Sequence, residues 1–193
     1  ELLWAAVIGY FVRMFFIEAG AHRYFAHRAF KTSRVFQAVL GLGVAASGQR
    51  GPIWWAWHHR KHHRLSDRAG DPHSPMVAGK RQRFWHAHLG WLVQPQNLHT
   101  DLDAVKDLAR FPELVFINRT HMVWPLLLLL VTVLLGAYTP FFGRVEGGEG
   151  GGLGWSAAVW AFFVPTVLSL HGIATINSLT HGGKPGRWHR RRF

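Results

Sequence analysis

The 193-residue chain contains no cysteine. That excludes disulfides, cysteine-ligated zinc, iron–sulfur clusters and a haem-thiolate centre. Charge is sparse: charged residues make up 17%, against about 25% in an ordinary soluble domain. The sequence His-Glu-x-x-His is absent, so the helical zinc-protease motif is not there. No Glu is followed by His three residues on, which removes the carboxylate-bridged di-iron bundle. What is present is apolar and basic. Hydrophobic residues reach 49%, with 10 Trp and 14 Phe, a composition that suits contact with lipid headgroups. Lys and Arg outnumber Asp and Glu by 22 to 10, a net charge of +12, which points to anionic partners. Fourteen histidines complete the inventory.

Three runs are long enough to cross a bilayer, which takes about 20 apolar residues. They are Leu2–Ala21, interrupted by Arg13 and Glu18, then Met122–Phe142 and Trp155–Ile176. A fourth run, Val35–Gly48, is too short to span and predicts a re-entrant or amphipathic helix. Five consecutive leucines, Leu126–Leu130, are hard to hide in a soluble protein of this size. Fifteen of the 22 Lys and Arg lie between His22 and His121, and five more follow His181. Basic loops stay cytoplasmic. The expected fold class is therefore an all-α integral membrane protein, a helical bundle of about three spans with a cytoplasmic His-rich cap. We expect residues 1–193 to form one domain, with Glu1 outside and Phe193 in the cytoplasm. The chain opens at Glu1 without Met and stops at Phe193, so a fragment at both ends is expected. Arg13, in mid-span, should face the bundle interior.

The histidines fall into groups that this topology brings to one membrane face. His22 and His27 close the first run, and His59, His62 and His63 lie in His58-His59-Arg60-Lys61-His62-His63. His181 follows the third run, four residues after Asn177. Residues three and four apart share a helix face, so His59, His62 and His63 present imidazoles together, as do Asn177 and His181. His22 and His27, five apart, should diverge by about 140° on an α-helix and suit two different metals. Imidazole ligation suits Fe, Zn, Cu or Ni. Asp67 and Asp71 follow the second group and could orient ligating imidazoles or simply form a turn. Glu18, one turn before His22, is placed to bond that imidazole.

The stretches Gly20-Ala21-His22-Arg23-Tyr24-Phe25-Ala26-His27, His59-Arg60-Lys61-His62-His63, Asp71-Pro72-His73, His88-Leu89-Gly90-Trp91 and Asn177-Ser178-Leu179-Thr180-His181 occur in this order along nearly the whole chain. In that order they resemble the membrane fatty acid desaturases, in particular the Δ9 acyl-CoA branch. The resemblance implies two irons that use O2 and two electrons to remove two hydrogens from an acyl chain. It would have His22, His59 and His63 share one iron, and His27, His62 and His181 the other, with Asn177 acting through a water. No catalytic group beyond these ligands is expected. Asp67, Asp71 and His88 would support the ligands, and Gln49 and Trp55 would line the acyl tunnel. Trp54, Trp55 and Trp57 could equally form an interfacial belt. Arg60, Lys61, Lys80, Arg81 and Arg83 would offer a basic surface to a CoA phosphate or lipid head. The family's third box, His-x-x-His-His, is absent from this stretch. The resemblance therefore implies that the stretch alone is inactive. Where the family often has Thr four residues before the Asn of its Asn-His pair, this chain has Ile173.

The expected partners are a fatty acyl-CoA or acyl-lipid, membrane lipid, and an external electron donor of the ferredoxin, cytochrome b5 or reductase type. No nucleic acid is expected. A membrane di-iron hydroxylase and a non-catalytic membrane metal-binding protein are the alternative readings. Among the other histidines, His58 is expected to be a bystander. His86, His99 and His189 are expected to be exposed, and His121 with His171 is a remote haem-ligand pair.

Overall fold

The computed structural model describes residues 2–66, 68–74, 83–138 and 151–180, and these are mainly helical, joined by turns, with no strand among them. Two helical stretches are long and apolar enough to cross a membrane: Leu2–Ala26 and Gly154–Leu179, each with a mean hydropathy of 1.7. The first is α1 (Leu2–Phe15) continued by a π-helix, Phe16–Ala26. The second joins α9 (Gly151–Ala157), a π-helix (Ala158–Phe163), α10 (Val164–Thr175) and a third π-helix (Ile176–Thr180). The expected middle run forms α8 (Val123–Tyr138), 16 residues long; after the short α6 (Lys106–Ala109), α7 (Pro112–Arg119) precedes it at a 72° bend, so the pair is a broken span or a re-entrant loop. The rest of that run lies outside the described residues. The short run forms α2 (Arg34–Ala46), 13 residues long.

Local chemistry explains the breaks. Ser33 caps α2 by accepting the Phe36 N–H at 3.2 Å. Gly48, at φ +75°, stops the chain just beyond α2. Pro125 sits in the first turn of α8, where a missing N–H costs no helix bond. Pro165 follows the π segment Ala158–Phe163, in which the Val164 N–H reaches back five residues to the Val159 carbonyl.

Two compact units share the chain, divided within α3 (Pro52–Leu65) and within α10. The first comprises residues 1–59 and 100–170. Its core holds Phe25, Leu40, Val44, Ile53, Ala56 and Leu114, where α2 meets the first π-helix and α7. The start of α3 is tied down here: Asn118 Oδ1 accepts the Trp54 N–H at 2.8 Å. Gly51 is required beside it, because a Cβ there would lie 2.2 Å from that oxygen. Arg34 grips Glu113 with two bonds of 2.8 Å and joins α2 to α7. Arg13 is buried, as expected for a mid-span cation.

The second unit comprises residues 60–99 and 171–193. In it α4 (Arg83–His88) packs on the π-helix Ile176–Thr180. A short 3-10 turn (Gly90–Val93) and α5 (Pro95–Leu98) follow, pinned by buried Asn97, which donates to the Trp91 carbonyl at 2.9 Å.

Candidate metal centre

In the first unit His22, His27 and His59 meet. Their ring centroids lie 4.7, 4.8 and 5.0 Å apart, and their ligand nitrogens fall within 4.8 Å of one another. The expected 140° divergence of His22 and His27 is not observed. The segment is a π-helix, and the His27 N–H donates to the His22 carbonyl at 3.0 Å. An i→i+5 bond stacks residues five apart on one side, which the α-helical period cannot do.

The chemistry of this donor set fits a metal. His27 Nε2 and His59 Nε2 are 3.0 Å apart. Two nitrogens bound at right angles to one ion, each at about 2.1 Å, would lie about 3.0 Å apart. Glu18 Oε2 is 3.0 Å from His22 Nδ1, the contact expected from the sequence. A carboxylate there holds the proton on Nδ1 and turns the Nε2 lone pair outward as a ligand. Trp55, one turn before His59, stacks on its ring with centroids 4.7 Å apart and a tilt of 26°.

The second unit holds a sealed group of different composition: His62, Asp71 and His73, all buried. Both Asp71 carboxylate oxygens lie within 3.0 Å of His62 Nδ1, and one also accepts the His73 N–H at 3.2 Å. Asp71 is therefore more than a turn residue. It accepts the hydrogen bond from His62 Nδ1 and so sets the tautomer in which Nε2 carries the lone pair. The His73 ring lies 4.0 Å from that of His62 and 5.3 Å from that of Trp91. Gly70, at φ +93°, makes the turn that brings Asp71 back to the helix. His73 was not anticipated as a site residue, although it stands in Asp71-Pro72-His73, two residues from the carboxylate.

His88 is buried with both ring nitrogens engaged. Nδ1 is 3.0 Å from Ser178 Oγ, and Nε2 is 2.9 Å from His171 Nδ1. The Ser178 hydroxyl donates to the Ala174 carbonyl at 2.9 Å, so His88 Nδ1 carries the proton in the bond between them. This ties α4 to the π-helix beside Asn177. The remote pairing of His171 with His121 is corrected. His171 bonds His88, and His121 Nδ1 lies 3.0 Å from the Asn118 carbonyl. No local spacing signals contacts 83 and 90 residues apart.

The remaining expected residues divide. Gln49 is buried, Trp55 borders the first His group, and His63 stands exposed one turn beyond His59 on α3. Arg60 and Lys61 lie half-buried on α3. Asp67, Lys80, Arg81, His181 and His189 lie outside the described residues. Arg83 opens α4, and its side chain is likewise not described. His58 is buried and Nδ1 lies 2.9 Å from the Trp54 carbonyl, a structural role within α3. His99 is exposed, as expected. His86 is not simply exposed. It lies 3.1 Å from Gln94 Nε2, and burial lowers its pKa below the usual histidine range, partly opposed by the Asp71 carboxylate.

Comparison with known proteins bears on these groups. The chain is 35% identical over 175 residues to a hex-5-enoyl-[acyl-carrier protein] acetylenase of Moorena producens (strain JHB), covering 86% of this chain and 51% of that protein. It is 32% identical over 166 residues to an sn-1 stearoyl-lipid 9-desaturase of Anabaena variabilis, covering 86% and 53%. It is 31% identical over 183 residues to a probable acyl-CoA desaturase of Schizosaccharomyces pombe, covering 93% and 35%. The chain thus spans about half the length, or less, of these relatives. The fatty acid desaturase family model matches residues 2–193. With helices long and apolar enough to cross a membrane and two histidine groups that could hold metal, one sealed and one half-buried to exposed, this chain belongs to the fatty acid desaturase family.

Proposed function

We propose that the protein to which this chain belongs is an O2-dependent di-iron desaturase that introduces a double bond into a fatty acyl chain, with Δ9 the favoured position. The observation that carries this reading is the meeting of His22, His27 and His59, from two separate helices, in a member of the family whose helices are long and apolar enough to cross a membrane. In this reading His22, His59 and His63 hold one iron, and His27, His62 and His181 the other, with Asn177 acting through a water. Bound there, the irons would supply the oxidation by O2 that removes two hydrogens from an unactivated carbon pair.

The chain's own residues do the rest. Glu18 and Asp71 keep protons on the Nδ1 atoms of His22 and His62 and so present Nε2. His88, through Ser178, holds the π-turn that presents Asn177. Asp67 is assigned the same supporting role as Asp71. Trp55 and Gln49 line the path of the acyl chain and exclude water from the reacting carbons. Arg60, Lys61, Lys80, Arg81 and Arg83 receive the anionic head of an acyl-CoA or acyl-lipid. The site faces the cytoplasm of a multi-pass, single-domain protein of about three spans, and electrons come from a separate donor of the ferredoxin, cytochrome b5 or reductase type.

The test is expression of the full-length gene in a desaturase-deficient host. Fatty acids are read by mass spectrometry, and acyl-CoA, acyl-lipid and acyl-carrier-protein substrates are assayed side by side. New monounsaturated acyl chains that vanish in His59→Ala support the reading. A hydroxylated product in their place makes the protein a hydroxylase of the same metal chemistry. Full activity in His59→Ala ends it.

A further inference from the structure

The proposed metal sites leave His73 without a part, and its surroundings supply one. Within the second unit Asp71, His73, Trp91 and Asn97 are all buried around His62. The Asp71 carboxylate meets the edge of the His62 ring, with both oxygens within 3.0 Å of Nδ1. A contact at one edge atom sets the tautomer but does not by itself set the plane of the ring. The face of that ring is met by His73: the two centroids lie 4.0 Å apart and the planes tilt by 32°.

The rings of the first group meet differently. His22, His27 and His59 stand at 75° to 80° to one another, with centroids 4.7 to 5.0 Å apart, and their nitrogens converge. An imidazole binds a metal through a lone pair in its ring plane, at about 2.1 Å. Two rings face to face at 4.0 Å would place a shared ion about 2 Å off each plane, where neither lone pair points. The contact of His73 with His62 is therefore a stack and not a joint ligation.

The stack is braced from behind. The Trp91 ring lies 5.3 Å from that of His73, at 58°. Asn97, only 2% exposed, donates through Nδ2 to the Trp91 carbonyl at 2.9 Å and to the Pro72 carbonyl at 3.4 Å. One amide thus ties the residue before His73 to the residue that backs its ring. The His73 N–H donates to Asp71 Oδ1 at 3.2 Å, so the carboxylate that meets the edge of His62 also holds the backbone of the residue on its face. His73 cannot withdraw from His62 without breaking buried hydrogen bonds that solvent does not replace.

We infer that His73 is a positioning residue: its flat face, braced by Trp91 and Asn97, fixes the plane of the His62 ring while Asp71 fixes the tautomer, so that His62 Nε2 is presented in one direction. The inference rests on the reading of His62 as a metal ligand. It requires a planar ring at position 73 and no nitrogen. Phenylalanine and leucine separate these requirements, because both are apolar and close in size and only one is flat.

The full-length, iron-loaded protein is challenged with excess chelator and its iron loss is timed, with thermal unfolding of the metal-free protein measured alongside. His73→Phe should release iron within about twofold of the native rate, and His73→Leu about tenfold faster, with the two alike in metal-free stability. His62→Ala, which removes the ligand itself, should exceed both. If His73→Leu does not fold, Trp91→Leu takes its place: loss of the brace should speed iron release about threefold, and Trp91→Phe should restore it. Native retention in His73→Leu, or in Trp91→Leu where that variant stands in, overturns the inference. So does equal loss in His73→Phe and His73→Leu, which would make the nitrogen the working part. A loss in His73→Leu matched by a fall in metal-free stability reduces the contact to packing and overturns it too. Native retention in His62→Ala removes His62 from the metal centre, and the metal-site reading fails together with the inference. Loss in His62→Ala beside native retention in His73→Leu leaves that reading standing and overturns the inference alone.

Discussion

The two histidine groups are built on opposite plans. His22, His27 and His59 are half-buried to exposed, and Glu18, the carboxylate against His22, is itself 40% exposed. His62, Asp71 and His73 are sealed, and the Asp71 carboxylate has no exposure at all. Solvent can replace a lost partner at the first group. It cannot do so at the second, where an orphaned buried nitrogen bears its full desolvation cost. The difference teaches that the same kind of carboxylate–imidazole contact should matter unequally at the two places.

The largest effect should follow from Asp71→Asn. The amide keeps the shape but removes the charge and offers an N–H donor to His62 Nδ1, which favours the tautomer with its proton on Nε2. Iron affinity of the purified full-length protein should fall about 10- to 100-fold. Iron content by mass spectrometry after graded chelation reads this directly. Native iron retention in Asp71→Asn would remove the sealed group from the metal centre. Glu18→Gln tests the open group in the same assay. Its loss should be about tenfold or less, because water reaches His22 Nδ1. A Glu18→Gln effect exceeding that of Asp71→Asn would reverse the comparison.

His58→Ala separates burial from ligation. The side chain is 2% exposed and bonded to the Trp54 carbonyl, so the variant should lose about 1–2 kcal/mol of stability. It should keep its iron and its activity per folded molecule. Thermal unfolding alongside iron content tells the two apart, and a folded, iron-free variant would make His58 a ligand.

The smallest effect belongs to the surface pair Arg34–Glu113, whose side chains are 63% and 26% exposed. The hydrogen bond from Arg34 lowers the Glu113 pKa from 4.5 to about 2. A carboxyl lowered on folding stabilises above its unfolded value. The contribution is therefore whole above about pH 4.5 and fades as the pH falls toward about 2. Glu113→Gln should unfold at a slightly lower temperature than native at neutral pH, and the gap should narrow at about pH 3. A gap that widens in acid would contradict the pairing.

Much of this was legible in the chain. Apolar runs announce membrane-length helices because their burial depends on composition over about 20 residues, not on any partner. Glu18 beside His22 followed from a four-residue spacing. That His59, His62 and His63 share one helix was equally readable, but not that they divide: His59 joins His22 and His27, and His62 joins Asp71 and His73, so the three imidazoles are not presented together. The relation of His22 to His27 was not readable. Hydropathy does not reveal the extra residue per turn of a π-helix, and that one residue turns two diverging rings into neighbours. Asp71 was ambiguous between turn and ligand support until the turn at Gly70 was seen to carry it back onto His62.

By itself, then, the sequence determined which donor types are available, which segments are apolar enough for lipid, and which neighbours one helical turn apart can touch. All three depend on composition and local period. Only the tertiary structure decided that the His73 ring lies against His62, that His88 bonds both Ser178 and His171, and that Arg13 packs beneath the Phe162 ring. These depend on how helices distant in sequence pack, and packing selects among contacts that composition and period leave equally open.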